Sequence, residues 1–246
     1  MKLQTLLAAT CLLLTLVTYS PKDDISKELL TSNGKTRAYY LYVPSTINPS
    51  TPAPLIVMLH GSGRNGISLV EKWKDLAKKE GIIIAGPDSQ DSSGWVSPQD
   101  GPDYLRDLVE QLKTKYSINP KRVYLFGHSA GAEFALAISL MESQYFAATA
   151  VHAGALPDDN ERIIALAKRK IPISIQVGDS DRFFPLKIVR ATRDSLKEAG
   201  FAVELTEIPH HDHWYYDTAA KINLVAWEFL KKYELDDDPH YQRYSW

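Results

Sequence analysis

The sequence predicts an α/β architecture in which a largely parallel sheet is covered by helices on both faces. From Leu55 onward, short apolar runs alternate six times with longer amphipathic stretches, the pattern of repeated strand-helix units. Runs such as LIVML (55–59) and IIIAG (82–86) are almost continuously apolar, as strands buried on both sides must be. Ahead of them, KELLTSNGKTRAYYLYVP (27–44) alternates around Asn33-Gly34. That pair favours a two-residue turn with both central residues at positive φ, which predicts an antiparallel hairpin at the sheet edge.

The units follow in order. PLIVMLHG precedes SLVEKWKDLAKKEG, IIIAGPD precedes PDYLRDLVEQLKTKY, and RVYLFGHS precedes AGAEFALAISLM. YFAATAVHAG then leads to DNERIIALAKRK, ISIQVGDSD to PLKIVRATRDSLKEAG, and VELTEIP to YYDTAAKINLVAWEFLKKY. Between Gly154 and Ile173 there is room for one short helix only, so no large lid domain is expected. In such sheets ligands bind at the carboxyl ends of the strands, where loops lead into helices.

With 246 residues, 44% of them hydrophobic, and a net charge of -2 from 30 acidic and 28 basic residues, the chain fits one domain. The balanced charge argues against nucleic acid or an anionic membrane surface as the main partner. Residues 1–20 place one lysine before an apolar run and turn polar at PKDD. This is the layout of a secretory signal peptide, with an uncleaved anchor as the alternative, and it predicts a secreted or periplasmic protein. The single cysteine, Cys11, falls inside that run, so the mature chain would have no disulfide. The core domain is expected over 25–233, followed by an acidic and aromatic tail over 234–246. No internal repeat is evident.

Chemistry concentrates at predicted strand ends. GHSAG (127–131) joins the strand YLF to the helix AEFALAI. In that setting a serine at the apex, Ser129, is strained and projects its Oγ outward, while flanking glycines let neighbouring backbone approach. A serine needs a base to take its proton and a carboxylate to orient that base. Asp179 and Asp181 follow one later strand, and His210, His211 and His213 follow the next. Asp181 lies further into its loop and is assigned as the acid; Asp179 is assigned to stabilising the turn. His213, directly before the helix that begins at WYY, is assigned as the base, with His211 as the alternative. HHDH could also be read as a metal site, but no second ligand cluster accompanies it, so no metal is expected.

An acyl-transfer site must also meet the developing oxyanion with N–H donors. The N–H of Ala130 and that of Ser62 in HGSG (60–63) are the candidates. Trp95, in the long polar loop over 88–103, is a candidate for stacking on substrate and equally for plugging the core; His60 and His152 are candidate pocket-lining residues, with a satisfied structural histidine the commoner reading of His152.

Taken together, LHGSG, RVYLFGHSAG, GDSDRFFP and HDHWYY resemble α/β-hydrolase serine esterases. The resemblance is strongest to the group holding feruloyl and acetylxylan esterases and polyhydroxybutyrate depolymerase-like proteins, and it covers nearly all of the mature chain. It implies Ser129 as nucleophile, Asp181 as acid, His213 as base, the Ser62 and Ala130 N–H groups as oxyanion hole, secretion, and no cofactor. Polymer depolymerases of this kind often carry extra cysteines or a polymer-binding module; neither is evident in this sequence, so action on solid polyester is not expected. HDHWYY also resembles segments of prolyl-oligopeptidase-like and S-formylglutathione-hydrolase-like enzymes. The expected substrate is a small or polymer-linked ester, with a hydroxybutyrate oligomer esterase, a serine peptidase or an inactive binding protein on the same fold as alternatives.

Overall fold

The computed structural model describes residues 22–244 except 49 and 158; the expected signal segment and Cys11 lie outside the described residues. The described residues open with strands β1 (Lys22–Ser32) and β2 (Lys35–Val43), joined by Asn33 and Gly34 at φ of 50° and 74°, the turn their sequence favours. Six strand-helix units follow: β3 (Ala53–Leu59) with α1 (Ile67–Glu80), β4 (Ile83–Pro87) with α2 (Pro102–Lys115), and β5 (Ile118–His128) with α3 (Ala130–Met141). The last three are β6 (Thr149–His152) with α4 (Glu161–Ile164), β7 (Ile173–Gly178) with α5 (Leu186–Glu198), and β8 (Val203–Ile208) with α6 (Ala219–Leu230).

The strands form one sheet in the order β1-β2-β4-β3-β5-β6-β7-β8. β1 and β2 are antiparallel to their neighbours and β3 to β8 run parallel. Successive side chains of a strand face opposite sides, and this divides the core. Leu55, Val57 and Leu59 pack with α2, α3 and α5 on one face. Ile56 and Met58 pack with Trp73 of α1 and Trp227 of α6 on the other. Burying each such aliphatic side chain contributes roughly 1.5–3 kcal/mol, which explains why both phases of these strands are apolar.

Among the described residues α4 is the only helix between β6 and β7, and its four residues are too few to form a lid domain over the carboxyl edge. The tail lies along the end of α3: Leu235 is buried, and the hydroxyl of Tyr244 donates to the Met141 carbonyl. Among the described residues no helix is long and apolar enough to cross a membrane.

Candidate active site

Ser129 stands where β5 passes into α3, at φ 58° and ψ -125°. A non-glycine residue occupies such a conformation only when its surroundings over-determine it. Here they do: the Ser129 N–H donates to the His152 carbonyl at the end of β6. Its carbonyl accepts the N–H groups of Ala132 and Glu133, starting the helix. Gly131 must lack a side chain, because a Cβ there would fall 2.0 Å from the Leu59 carbonyl oxygen. Strand, turn and helix are thereby pressed against the end of β3.

The Oγ of Ser129 lies 2.9 Å from Nε2 of His213, and Nδ1 of His213 lies 2.8 Å from Oδ2 of Asp181. The other carboxylate oxygen of Asp181 accepts the backbone N–H groups of Phe183 and Phe184 at 2.8 and 2.9 Å. The Asp181 side chain is 0% exposed and that of His213 20%, so the carboxylate is sealed while the imidazole reaches the cleft. A carboxylate on Nδ1 holds the proton there and leaves Nε2 as the acceptor facing the serine.

Asp179 occupies the other role assigned to it. Its carboxylate accepts the N–H of His210 at 3.0 Å and the hydroxyl of Ser180 at 2.9 Å, and these bonds hold it below the usual carboxylate range. Its bond to His210 ties the loop after β7 to the loop after β8. His211, the alternative base, is buried and turned away from Ser129, with Nε2 3.1 Å from Nε2 of His152.

The HGSG loop lies directly on the serine. A Cβ on Gly61 would come within 3.2 Å of the Ser129 Cβ and 3.3 Å of the His128 ring. Neither the Ser62 nor the Ala130 N–H is engaged by another of the described residues. Both are thus free donors beside the serine.

Each of the three residues considered for the pocket makes structural contacts. His60 is buried and braces the loop: its Nε2 accepts the Ser89 N–H, which leaves Nδ1–H to donate to the Gly61 carbonyl at 3.0 Å. Burial pushes its pKa down, consistent with that neutral tautomer. Trp95 is turned inward. Its Nε1–H donates to the His60 carbonyl at 2.8 Å, and its ring stacks on Phe134 and leans on His60. His152 is fully buried beneath the site rather than in its wall.

The residues that do face the cleft sit beside the selected ones. Phe183, 74% exposed, and Trp214, 45% exposed, follow Asp181 and His213 in the chain. The Phe183 ring lies 4.7 Å from that of His213. Arg64 lies over the rings of Trp214 and Tyr216 at 5.3 and 4.9 Å. A hollow of about 400 Å³ opens between Ser180, Arg182, Phe183, Asp212 and His213. The paired aromatic residues in DRFFP and HWYY were the signal available in the sequence. Among the described residues no group of three His, Cys, Asp or Glu side chains is placed to hold a metal ion.

The family described as "Dienelactone hydrolase family" matches residues 91–232, which is more than half of the chain and includes all three residues of the hydrogen-bonded row. The chain belongs to the dienelactone hydrolase family. It is 31% identical over 105 residues to the bifunctional acetylxylan esterase/xylanase XynS20E of Neocallimastix patriciarum, covering 41% of this chain and 15% of that protein. It is 28% identical over 128 residues to poly(3-hydroxyalkanoate) depolymerase C of Paucimonas lemoignei, covering 47% of this chain and 30% of that protein. The chain thus spans less than half the length of the curated relatives it matches. A CE1 ferulic acid esterase from Anaeromyces mucronatus, solved with ferulic acid, superposes with a TM-score of 0.67 at 18% identity over 85% of this chain and 90% of the other. That likeness shows the fold. The architecture expected from the sequence, an α/β-hydrolase with an antiparallel hairpin at one edge, is the one observed.

Proposed function

We propose that this member of the dienelactone hydrolase family is a secreted serine carboxylic ester hydrolase. The observation that carries the reading is the unbroken hydrogen-bonded row from Asp181 through His213 to Ser129, with the serine held at φ 58°. In the first half-reaction Nε2 of His213 takes the Ser129 proton as Oγ attacks the ester carbonyl. The N–H groups of Ser62 and Ala130 receive the developing oxyanion. The tetrahedral intermediate collapses, the His213 proton passes to the leaving alcohol, and water then repeats the sequence on the acyl-enzyme. No cofactor takes part.

The substrate is a bulky or polysaccharide-linked ester of the acetyl or feruloyl type. An open carboxyl edge supports this reading, as do the exposed Phe183 and Trp214 beside the base and the names of the acetylxylan and ferulic acid esterases among the similar proteins. The signal segment over 1–20 supports export, followed by one hydrolase domain over 25–233 and the tail over 234–246.

The test is hydrolysis of p-nitrophenyl acetate by the wild type and Ser129→Ala, followed by a panel of acetyl, feruloyl and hydroxybutyrate esters and the matching amides. Ser129→Ala should retain its fold and lose turnover; undiminished turnover would sink the proposal. Preference for hydroxybutyrate oligomers or for amides would reassign the substrate while keeping the mechanism.

A further inference from the structure

Beneath the cleft lies a row of three imidazoles. His128 ends β5 and His152 ends β6, paired in register across the sheet, with their Nδ1 atoms 3.0 Å apart. Nε2 of His152 is 3.1 Å from Nε2 of His211, in the loop after β8. All three are buried.

Each link joins two ring nitrogens, so one must donate and the other accept. The directions are therefore coupled. If Nδ1–H of His128 donates to His152, the His152 proton sits on Nε2 and donates to His211; otherwise the whole row is reversed. A proton added to His152, or to the accepting end, sets two N–H groups face to face and breaks a link. Burial opposes that charge as well: it is the main reason that His128 is pushed down to about 3, with His213 adding to the effect. It likewise holds His152 well below the usual histidine range.

The inner end of the row meets the base. The ring of His128 lies 5.1 Å from that of His213 and stacks on Tyr215, with Tyr216 at its edge; Arg64 and Asp181 are the charges close to it. Phe183 and Phe184 also pack against the His213 ring. The outer end, His211, faces a cavity of about 370 Å³ between β8 and α6, whose charged and titratable neighbours are His210, Lys221 and Glu207. The His211 carbonyl also accepts the Ser180 N–H from the acid loop.

We propose that His128, His152 and His211 are positioning residues, a neutral row that fixes the His128 ring as an uncharged floor beneath His213. The imidazolium formed when His213 takes the Ser129 proton then keeps its plane and meets no positive charge in the ring beneath it. The proton goes on to the leaving alcohol, and the row neither gains nor loses one. This inference rests on His213 acting as the base.

Two substitutions at the outer end and one spectrum test it. His211→Gln can still bond Nε2 of His152; His211→Leu cannot. With p-nitrophenyl acetate, His211→Leu should lower kcat about tenfold with KM within about twofold, and His211→Gln should recover most of that loss. In imidazole ¹⁵N–¹H spectra of the wild-type protein, His128 and His152 should each show one neutral tautomer, unchanged from about pH 5 to about pH 8. Titration of His128 or His152 in that range overturns the proposal, and so does wild-type kcat in His211→Leu. An equal loss in both variants marks a packing effect and overturns it too. The spectrum decides even if His211→Leu fails to fold. A fluorophosphonate probe separates the two readings: absence of labelling at Ser129 defeats the serine-esterase reading itself, whereas labelling with unaffected variants defeats only the row.

Discussion

Replacing Asp181 by Asn changes one atom and should stop the reaction. Oδ1 of Asp181 receives two backbone N–H groups, from Phe183 and Phe184, so the amide of an asparagine must place its carbonyl oxygen there. Its NH₂ then occupies the position of Oδ2, 2.8 Å from Nδ1 of His213. Two donors cannot face each other, so Nδ1 becomes an acceptor and the imidazole proton moves to Nε2. That nitrogen is the one aimed at Ser129 Oγ, and once protonated it can no longer take the serine proton. Amidation of such a carboxylate in a serine triad costs about 10⁴ in kcat, equivalent to about 5 kcal/mol of barrier. Fold and substrate binding should be nearly unchanged, because shape is preserved and the cleft itself is untouched. The assay is kcat and KM for p-nitrophenyl acetate alongside thermal melting. A variant that folds normally and retains kcat within about tenfold of the wild type would refute the assignment of Asp181 and the tautomer argument together.

Two further predictions concern the serine's surroundings and the tail. Gly61→Ala puts a methyl 3.2 Å from the Ser129 Cβ, so the HGSG loop must shift by a few tenths of an ångström. Because misplacement of about 1 Å can cost about 100-fold, kcat should fall roughly tenfold with little change in melting temperature, and an unaltered kcat would contradict the placement of Ser62. Glu142 is only 1% exposed, and its Oε1 has no hydrogen-bond partner among the described residues; burial pushes its carboxyl up from 4.5 to about 7. Between those values the unfolded chain has released a proton that the folded one keeps, so this group's contribution makes stability fall as pH rises from 4.5 to 7. Glu142→Gln should therefore be more stable than the wild type at pH 8, by on the order of 1–3 kcal/mol. The advantage should disappear near pH 4.5, and melting curves showing the same difference at both pH values would contradict it.

The sequence revealed this site along the chain far better than across it. Ser129, Asp181 and His213 each follow a run whose apolar continuity marks a doubly covered strand, and strands of one parallel sheet end on one edge. That rule brings together residues up to 84 positions apart. Lateral neighbours carry no such mark. His152 appears in the sequence as an isolated histidine after a strand, and only the register that sets it opposite His128 shows that it belongs to a buried row. Trp95 appears as an aromatic in a polar loop, yet Phe134, one turn into α3, supplies the surface that draws it inward. The position of β2 between β1 and β4 is likewise a crossing that local periodicity does not encode. The exposed Phe183 and Trp214 stand one or two positions after Asp181 and His213, and residue type alone does not tell a cleft-facing aromatic from a core one.

The bond from His210 to Asp179 has a consequence for how this scaffold can be altered. β7 and β8 end level, with Gly178 opposite Ile208, and the Asp179 N–H continues their ladder to the Ile208 carbonyl. With the Asp179 carboxylate closing the clasp on His210, the segments bearing Asp181 and His213 form a single cassette. Ser129 and the HGSG loop form another, anchored on β5 and β3. A loop graft that exchanges only the segment after β8 would therefore unfasten the segment after β7 as well. Changes in the loop over 88–103 would leave that cassette alone but pull on the other one, because Ser89 and Trp95 hold the HGSG loop through His60.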